Sequence, residues 1–315
     1  MTKVAIIGAG FVGRAWAIAF ARAGNTVALW DQDAEAPLRA LDFIRTVLPD
    51  LKANDLLRSR SPEAVLANLH VEKDLSAALV GATHIQENTP EDLEMKKAVF
   101  AKLDQAASPE AVIASSTSAI LPSLFTKDLP GRGRCLVVHP INPPYLIPAT
   151  EVVPAPWTSE RVIEQTRDFL VSVGQTPIVM KRELDGFIMN RLQGALLEEA
   201  FRLVADGHAS IEDVDAGIRD GLALRWSFMG PFETIDLNAP GGVRDYVARY
   251  QDIYENIFPS TRRRVDWAGP VLEVVERERR ERLPEADLAK RQAWRDKRLM
   301  ALAAQKRRAA KDLGD

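Results

Sequence analysis

The chain has 315 residues, 46% of them hydrophobic and 27% charged, with a formal net charge of −3. That length suggests one large domain or two ordinary ones, with ample apolar residues for a core. The net charge argues against a polyanion binder for the chain as a whole, and the single cysteine, Cys135, allows no disulfide within it, which fits a reducing compartment.

The first element is the short apolar run KVAIIG at residues 3–8, which reads as a strand with no signal-peptide layout before it. No apolar run reaches membrane-spanning length. These readings predict a cytoplasmic protein. A helical pattern follows from Arg14 to Ala23, Gly24 supplies a stop, and NTVALWD reads as a second strand, so the opening is a βαβ unit. Residues 34–69 carry mostly helical pattern. Further short strands are predicted at 83–88 (THIQEN), 111–118 (AVIASSTS), 135–140 (CLVVHP) and 176–181 (TPIVMK), with helices around 91–106 and 159–173. This alternation predicts an α/β fold with a largely parallel, doubly wound sheet. Beyond about residue 185 nearly everything reads as helix or loop. The expected division is therefore a nucleotide-binding domain over 1–185 and an all-α domain over 186–315, ending in a strongly charged tail. The mixed signs of ERERRER point to a solvated or subunit-facing helix rather than a nucleic-acid contact. Cys135 sits in an apolar run and reads as buried and inert.

Gly8-x-Gly10-x-x-Gly13 stands between the first strand and the first helix, and the second strand ends in Asp31. Gly8 permits a tight turn, Gly10 lets a diphosphate approach the backbone, and Gly13 lets helix and strand pack closely. The helix N-terminus offers free N–H groups to the phosphates. The cofactor-binding candidates are Gly8, Gly10, Phe11, Val12, Gly13 and Asp31. Asp31 suits the ribose hydroxyls of NAD and would repel a 2′-phosphate, and neither Gln32 nor Asp33 offers a cation for one. FAD uses the same loop and remains a competing reading. No metal site is expected.

His139 closes the apolar run CLVV, and four prolines, Asn142 and Tyr145 separate it from Glu151. A histidine can remove the hydroxyl proton while hydride leaves the carbon, best with a carboxylate behind its other nitrogen. Glu151 is the candidate carboxylate. Ser118 and Asn190 are candidate donors to the reacting oxygen, and Asn142 is a further candidate for substrate contact. Singly, each has a plainer reading: a core histidine, a turn serine, a surface ion pair, an exposed amide. Ser118 and His139 nevertheless end successive strands of a nucleotide-binding sheet, the edge where ligands of such sheets lie. In this reading the prolines fix the loop that brings Glu151 behind the imidazole.

The segments GAGFVGRAWAIAFARAG, HIQENTPEDLEMKKAVF, SSTSAILPS, HPINPPYLIPATEVVP, GFIMNRLQGALLEEAFRLV and GLALRWSFMGPFETIDLN resemble the 3-hydroxyacyl-CoA dehydrogenase superfamily, and within it the L-gulonate 3-dehydrogenase and lambda-crystallin branch. The resemblance runs over nearly the whole chain. It implies an N-terminal Rossmann domain, a helical domain that mediates a homodimer, and reversible NAD-dependent oxidation of a small L-3-hydroxy acid. It implies His139 as base, Glu151 as its partner, Ser118 and Asn190 at the substrate oxygen, and Glu91 and Lys96 at the cofactor. Lys96 also lies one turn after Glu91, where a helical ion pair is the alternative. Two departures from the acyl-CoA enzymes agree with the gulonate branch: Ser116 stands for an asparagine, and Pro140 follows the base. Arg225, in ALRWSFMGPFE, is the candidate anchor for a substrate carboxylate, against a local pairing with Asp220 or a contact across a dimer interface. Carnitine and acyl-CoA substrates, and a nucleotide-binding structural protein of the crystallin kind, stay open as alternatives.

Overall fold

The computed structural model describes residues 2–314. Eight strands form one sheet in the order β3-β2-β1-β4-β5-β6-β7-β8. They are β1 (Lys3–Ile7), β2 (Thr26–Trp30), β3 (Leu69–Val71), β4 (His84–Glu87), β5 (Val112–Ser115), β6 (Cys135–Pro140), β7 (Ala149–Pro154) and β8 (Thr176–Val179). The first six run parallel. β7 pairs antiparallel to β6, and β8 follows β7 in parallel. The longer helices of this part are α1 (Phe11–Arg22), α2 (Ala36–Ala53), α3 (Leu93–Ala106) and α4 (Glu160–Ser172). This is the Rossmann-like α/β architecture that the alternating pattern predicts.

β1, β5 and β6 read as near-continuous apolar runs because the sheet is covered on both faces. Val4, Ile6, Leu29, Ala114 and Val138 pack with Trp16, Phe20 and Ile44 on one face. Ala5, Ile7, Ile85, Ile113 and Val137 pack with Phe100, Leu103 and Phe125 on the other. Two strands escaped the sequence reading. β3 is three residues long, and β7 is hidden among prolines. Strand pairing thus supplies order in a stretch whose prolines suggest only a fixed loop.

The chain separates into two compact units. One runs through Met189 and is taken up again from Trp294, and the other is Asn190–Ala293. The second unit is helical, with α5 (Met189–Ala205) entering it, then α6 (Gly242–Thr261) and α7 (Pro270–Arg282). The last helix, α8 (Leu288–Leu313), crosses back into the first unit. There Met300 is buried in the same core as Trp16, with Leu299 and Ala303 packed against it. Arg307 donates to the Asn54 carbonyl, 3.2 Å away. Those apolar positions are sparse within a charged tail, and composition alone assigns them to the helical domain.

One buried group of the first unit makes a prediction about stability. His84 Nε2 lies 3.0 Å from Gln86 Oε1, which can only accept, so Nε2 carries the proton and Nδ1 does not. The ring lies 4.6 Å from that of Phe169 between centroids, tilted by 33°. Burial pushes its pKa down to about 4 from an ordinary 6.5. The unfolded chain therefore takes up a proton as pH falls below 6.5, and the folded chain does not until about 4. Stability from this residue is full above pH 6.5 and falls across that window, by about 1.4 kcal/mol per pH unit. His84→Phe should flatten the loss of denaturation free energy between pH 6.5 and 4.5 by about 2 kcal/mol. Parallel curves for the two proteins in denaturant titrations would contradict it.

Candidate active site

The glycine loop has the expected geometry. Gly8 has φ +91°, in the left-handed region that glycine enters at no steric cost. A Cβ on Gly13 would collide with the Gly8 carbonyl oxygen, which is why the first turn of α1 can lie against the end of β1. A Cβ on Gly10 would meet nothing within 4 Å, so that space is open to a ligand. Asp31 Oδ2 accepts from the Ala9 amide at 2.7 Å, which ties the end of β2 to the loop. Phe11 is half-exposed beside the loop, and Val12 packs on the core. An open cradle at Gly10, the free end of α1 and a carboxylate at the end of β2 fit a dinucleotide. One cation near Asp31 was not anticipated. Arg39 of α2 reaches Asp33, 2.5 Å away, and is neutralised there.

The catalytic candidates of the first unit meet through sheet register. His139 on β6 stands directly opposite Glu151 on β7. Facing residues of an antiparallel pair bring their side chains within contact, and His139 Nδ1 donates to Glu151 Oε2 at 2.7 Å. The pair is therefore set by backbone pairing, a stronger constraint than the proline loop expected to do it. Glu151 Oε1 accepts from the amides of Ile188 and Met189 at 2.7 and 2.9 Å. A turn with Gly186 at φ 75° and Phe187 at φ 50° aims those two amides at one oxygen. Burial pushes the Glu151 carboxyl up, but the His139 bond and the two amides outweigh it and hold the carboxyl below its usual range. Glu151 is thus an anion. It fixes the proton of His139 on Nδ1 and leaves Nε2 for a substrate. Phe187 lies 5.6 Å from the imidazole, ring centroid to ring centroid, and dries that side.

Ser118 follows the end of β5. Its amide donates to Glu91 Oε1 at 3.1 Å, the Ala119 amide donates to the same oxygen at 3.0 Å, and the Thr117 hydroxyl joins them. Glu91 thus shapes the turn that presents Ser118. Lys96 pairs with Glu87, not with Glu91. Its Nζ lies 3.1 Å from both Glu87 oxygens and 3.2 Å from the Thr89 carbonyl, and both side chains are buried. Any effect of Lys96 on a cofactor would pass through the end of β4. Asn142 is exposed in the loop between β6 and β7. Asn190 and Arg225 belong to the second unit. Arg225 Nη1 donates to Asn238 Oδ1 at 3.3 Å, and Asp220 is taken by Arg219. The local Arg225–Asp220 pairing is therefore absent.

The sequence reading missed the groups beneath the strand ends. Ser115 donates to Glu87 Oε2 at 2.5 Å, completing the buried Glu87–Lys96 cluster. Ser116 donates to Asn88 Oδ1 at 2.8 Å and accepts from Gln86 and Trp16 at 2.7 and 3.1 Å. A polar pair within the strand HIQE was the available signal, since a covered strand carries such groups only with partners. Cys135 is buried, and burial pushes its thiol up to about 12, so it is no nucleophile at neutral pH.

Residues 3–183 match the model of the 3-hydroxyacyl-CoA dehydrogenase NAD-binding domain, and residues 186–282 match that of the 3-hydroxyacyl-CoA dehydrogenase C-terminal domain. Lambda-crystallin of Oryctolagus cuniculus is 39% identical over 308 residues, covering 96% of each chain. L-carnitine dehydrogenase of Streptomyces griseus is 38% identical over 235 residues, covering 75% of this chain and 69% of its own. Among solved structures, 5-formyl-3-hydroxy-2-methylpyridine 4-carboxylic acid 5-dehydrogenase, an NAD+-dependent dismutase, superposes with a TM-score of 0.81 at 26% identity, covering 98% of each chain.

Proposed function

This chain belongs to the 3-hydroxyacyl-CoA dehydrogenase family, as an NAD-dependent dehydrogenase of secondary alcohols, and we propose that its substrate is a free L-3-hydroxy acid of the L-gulonate type. The observation that carries the chemistry is the His139–Glu151 pair, in register on adjacent strands with Nε2 left for the substrate. Nε2 takes the hydroxyl proton, and Glu151 stabilises the imidazolium that forms. Ser118 and Asn190 donate to the oxygen as it becomes a carbonyl. NAD, when held at the glycine loop, would supply the hydride acceptor, so that loss of the hydroxyl proton and of hydride from the same carbon would leave the 3-oxo acid, NADH and one proton. Gly8, Gly10, Phe11, Val12, Gly13 and Asp31 hold the cofactor, and Glu91 and Lys96 act on it through the loops they shape. Asn142 borders the substrate from the loop between β6 and β7.

The free-acid reading is supported by a relative of the lambda-crystallin group that matches almost end to end, and by Arg225. That guanidinium has an amide partner and, among the described residues, no carboxylate within ion-pair reach, so it can grip a substrate carboxylate in bidentate fashion. The purified protein, offered L-gulonate, L-3-hydroxybutyrate, L-carnitine and a 3-hydroxyacyl-CoA with NAD, should favour L-gulonate by at least about tenfold in kcat/KM. Preference for the thioester or for carnitine would overturn the substrate and leave the chemistry. Arg225→Met should raise KM for the acid by about 30-fold with kcat little changed. Unchanged kinetics would remove Arg225 from the site.

We further propose a homodimer formed through the second unit. Among the described residues of that unit, only Ala239 and Val271 are buried hydrophobics. Phe228 and Phe232 are 71% and 80% exposed, and Leu192, Leu196, Ile253 and Ile257 are also open. An apolar surface of that kind expects a partner. No helix among the described residues is long and apolar enough to cross a membrane. We propose a cytoplasmic location on the single, buried cysteine, Cys135.

A further inference from the structure

Arg22 ends α1 on the side away from the glycine loop. It is 8% exposed and, among the described residues, has no carboxylate within ion-pair reach. Its Nε is buried with no hydrogen-bond partner. A buried guanidinium without an anion is costly, and an apolar side chain would fill the space at less expense. Arg58 and Arg307 lie close enough to add repulsion. What Arg22 does make is a 2.7 Å bond from Nη1 to the Tyr145 carbonyl, which the same nitrogen shares with the Leu56 carbonyl at 3.3 Å.

Tyr145 lies midway along the loop joining His139 to Glu151. Pro143, Pro144 and Pro148 supply no N–H to that loop. The amides of Leu146 and Ile147 are both spent on the Pro143 carbonyl, at 2.9 and 3.0 Å. The carbonyls of Pro144 and Tyr145 therefore need donors from elsewhere. Gln175 Nε2 serves Pro144 at 3.0 Å, and its Oε1 accepts from Thr150, the neighbour of Glu151. Arg22 serves Tyr145. The helix whose first turn faces the cofactor thus holds, from its last turn, the loop that connects the two members of the catalytic pair.

We propose that Arg22 is a positioning residue for the reaction, acting through Tyr145 on the loop between His139 and Glu151. This rests on the reading of that pair as base and partner. Two variants test it, Arg22→Met and Arg22→Lys, each measured for steady-state kinetics with NAD and for hydrogen exchange at the Leu146 and Ile147 amides. Arg22→Met should lower kcat by about 10- to 100-fold, the scale of a small misplacement of catalytic groups, with KM for NAD within about twofold of the native value. The two amides should exchange faster in the same protein. Arg22→Lys, which keeps a cation able to reach a carbonyl, should recover most of both. A protein whose loop amides exchange faster while kcat stays native overturns the proposal, as does native kcat in Arg22→Met. Should Arg22→Met fail to fold, Arg22→Lys alone makes the comparison. Loop protection and kcat must then move together, and a loss of one without the other refutes the link. If His139→Gln also leaves kcat intact, the reading of the pair has failed, and not Arg22.

Discussion

Replacing His139 by glutamine lowers kcat by about 1,000-fold, within the range set by loss of a general base. Affinity for NAD stays native, because the glycine loop and Asp31 are untouched. The reason is local. Nδ1 is committed to Glu151, so Nε2 is the one ring nitrogen that can receive the hydroxyl proton. Glutamine can accept a hydrogen bond there but cannot carry the proton away. Glu151→Gln is the companion. Glu151 accepts from His139, Ile188 and Met189. An amide offers one oxygen to those three donors and turns its own N–H groups toward the rest. That change should cost kcat about 100-fold and lower Tm as well. Initial rates of NADH formation across pH, with NAD binding followed separately by fluorescence, decide both. A His139→Gln protein within tenfold of native kcat would end the role of His139 as base.

Gly13→Ala should weaken NAD binding by about 100-fold and lower Tm in the same protein. The added Cβ would overlap the Gly8 carbonyl oxygen, and both partners are backbone, so α1 must tilt away from β1. Overpacking of this kind costs about 1–3 kcal/mol, and the tilt moves the N-terminal amides of α1 that we propose for the diphosphate. Gly10→Ala separates the two consequences. Its Cβ would enter open space, so Tm should stay native while NAD binding still falls. Calorimetric titration with NAD and thermal melts without it provide the readout. Equal melts for native and Gly13→Ala proteins would show that α1 and the end of β1 are not in tight contact at this glycine.

The glycine loop was legible because its chemistry is written in adjacent residues: the turn, the cradle and the carboxylate recur at fixed spacing. His139 was legible for a related reason, standing at the end of an apolar run at the ligand edge of a sheet. Glu151 was found as a partner, but its mechanism was not. ATEVVP is short and bracketed by prolines, so nothing local signals an antiparallel strand, and the register that sets Glu151 opposite His139 exists only once β6 and β7 pair. Lys96 shows the same limit. Closeness in sequence suggests Glu91, which lies just before α3, whereas the buried end of β4 gives Lys96 to Glu87. The return of α8 to the first unit was illegible because its contact depends on a few apolar side chains, Leu299, Met300 and Ala303, within a run of arginines and lysines.

That return has a bearing on how the protein is made. The core around Trp16 receives Met300 nearly three hundred residues later in the chain, after the whole of Asn190–Ala293 has been synthesised. A nascent chain halted at the end of the second unit already carries the glycine loop, His139 and Glu151, yet the surface that Met300 covers is bare. Closing so distant a contact is slow. During translation, then, the strands of the first unit are all made before its core is complete. Until the last helix docks, that apolar strip is where a chaperone would hold it or another chain would stick.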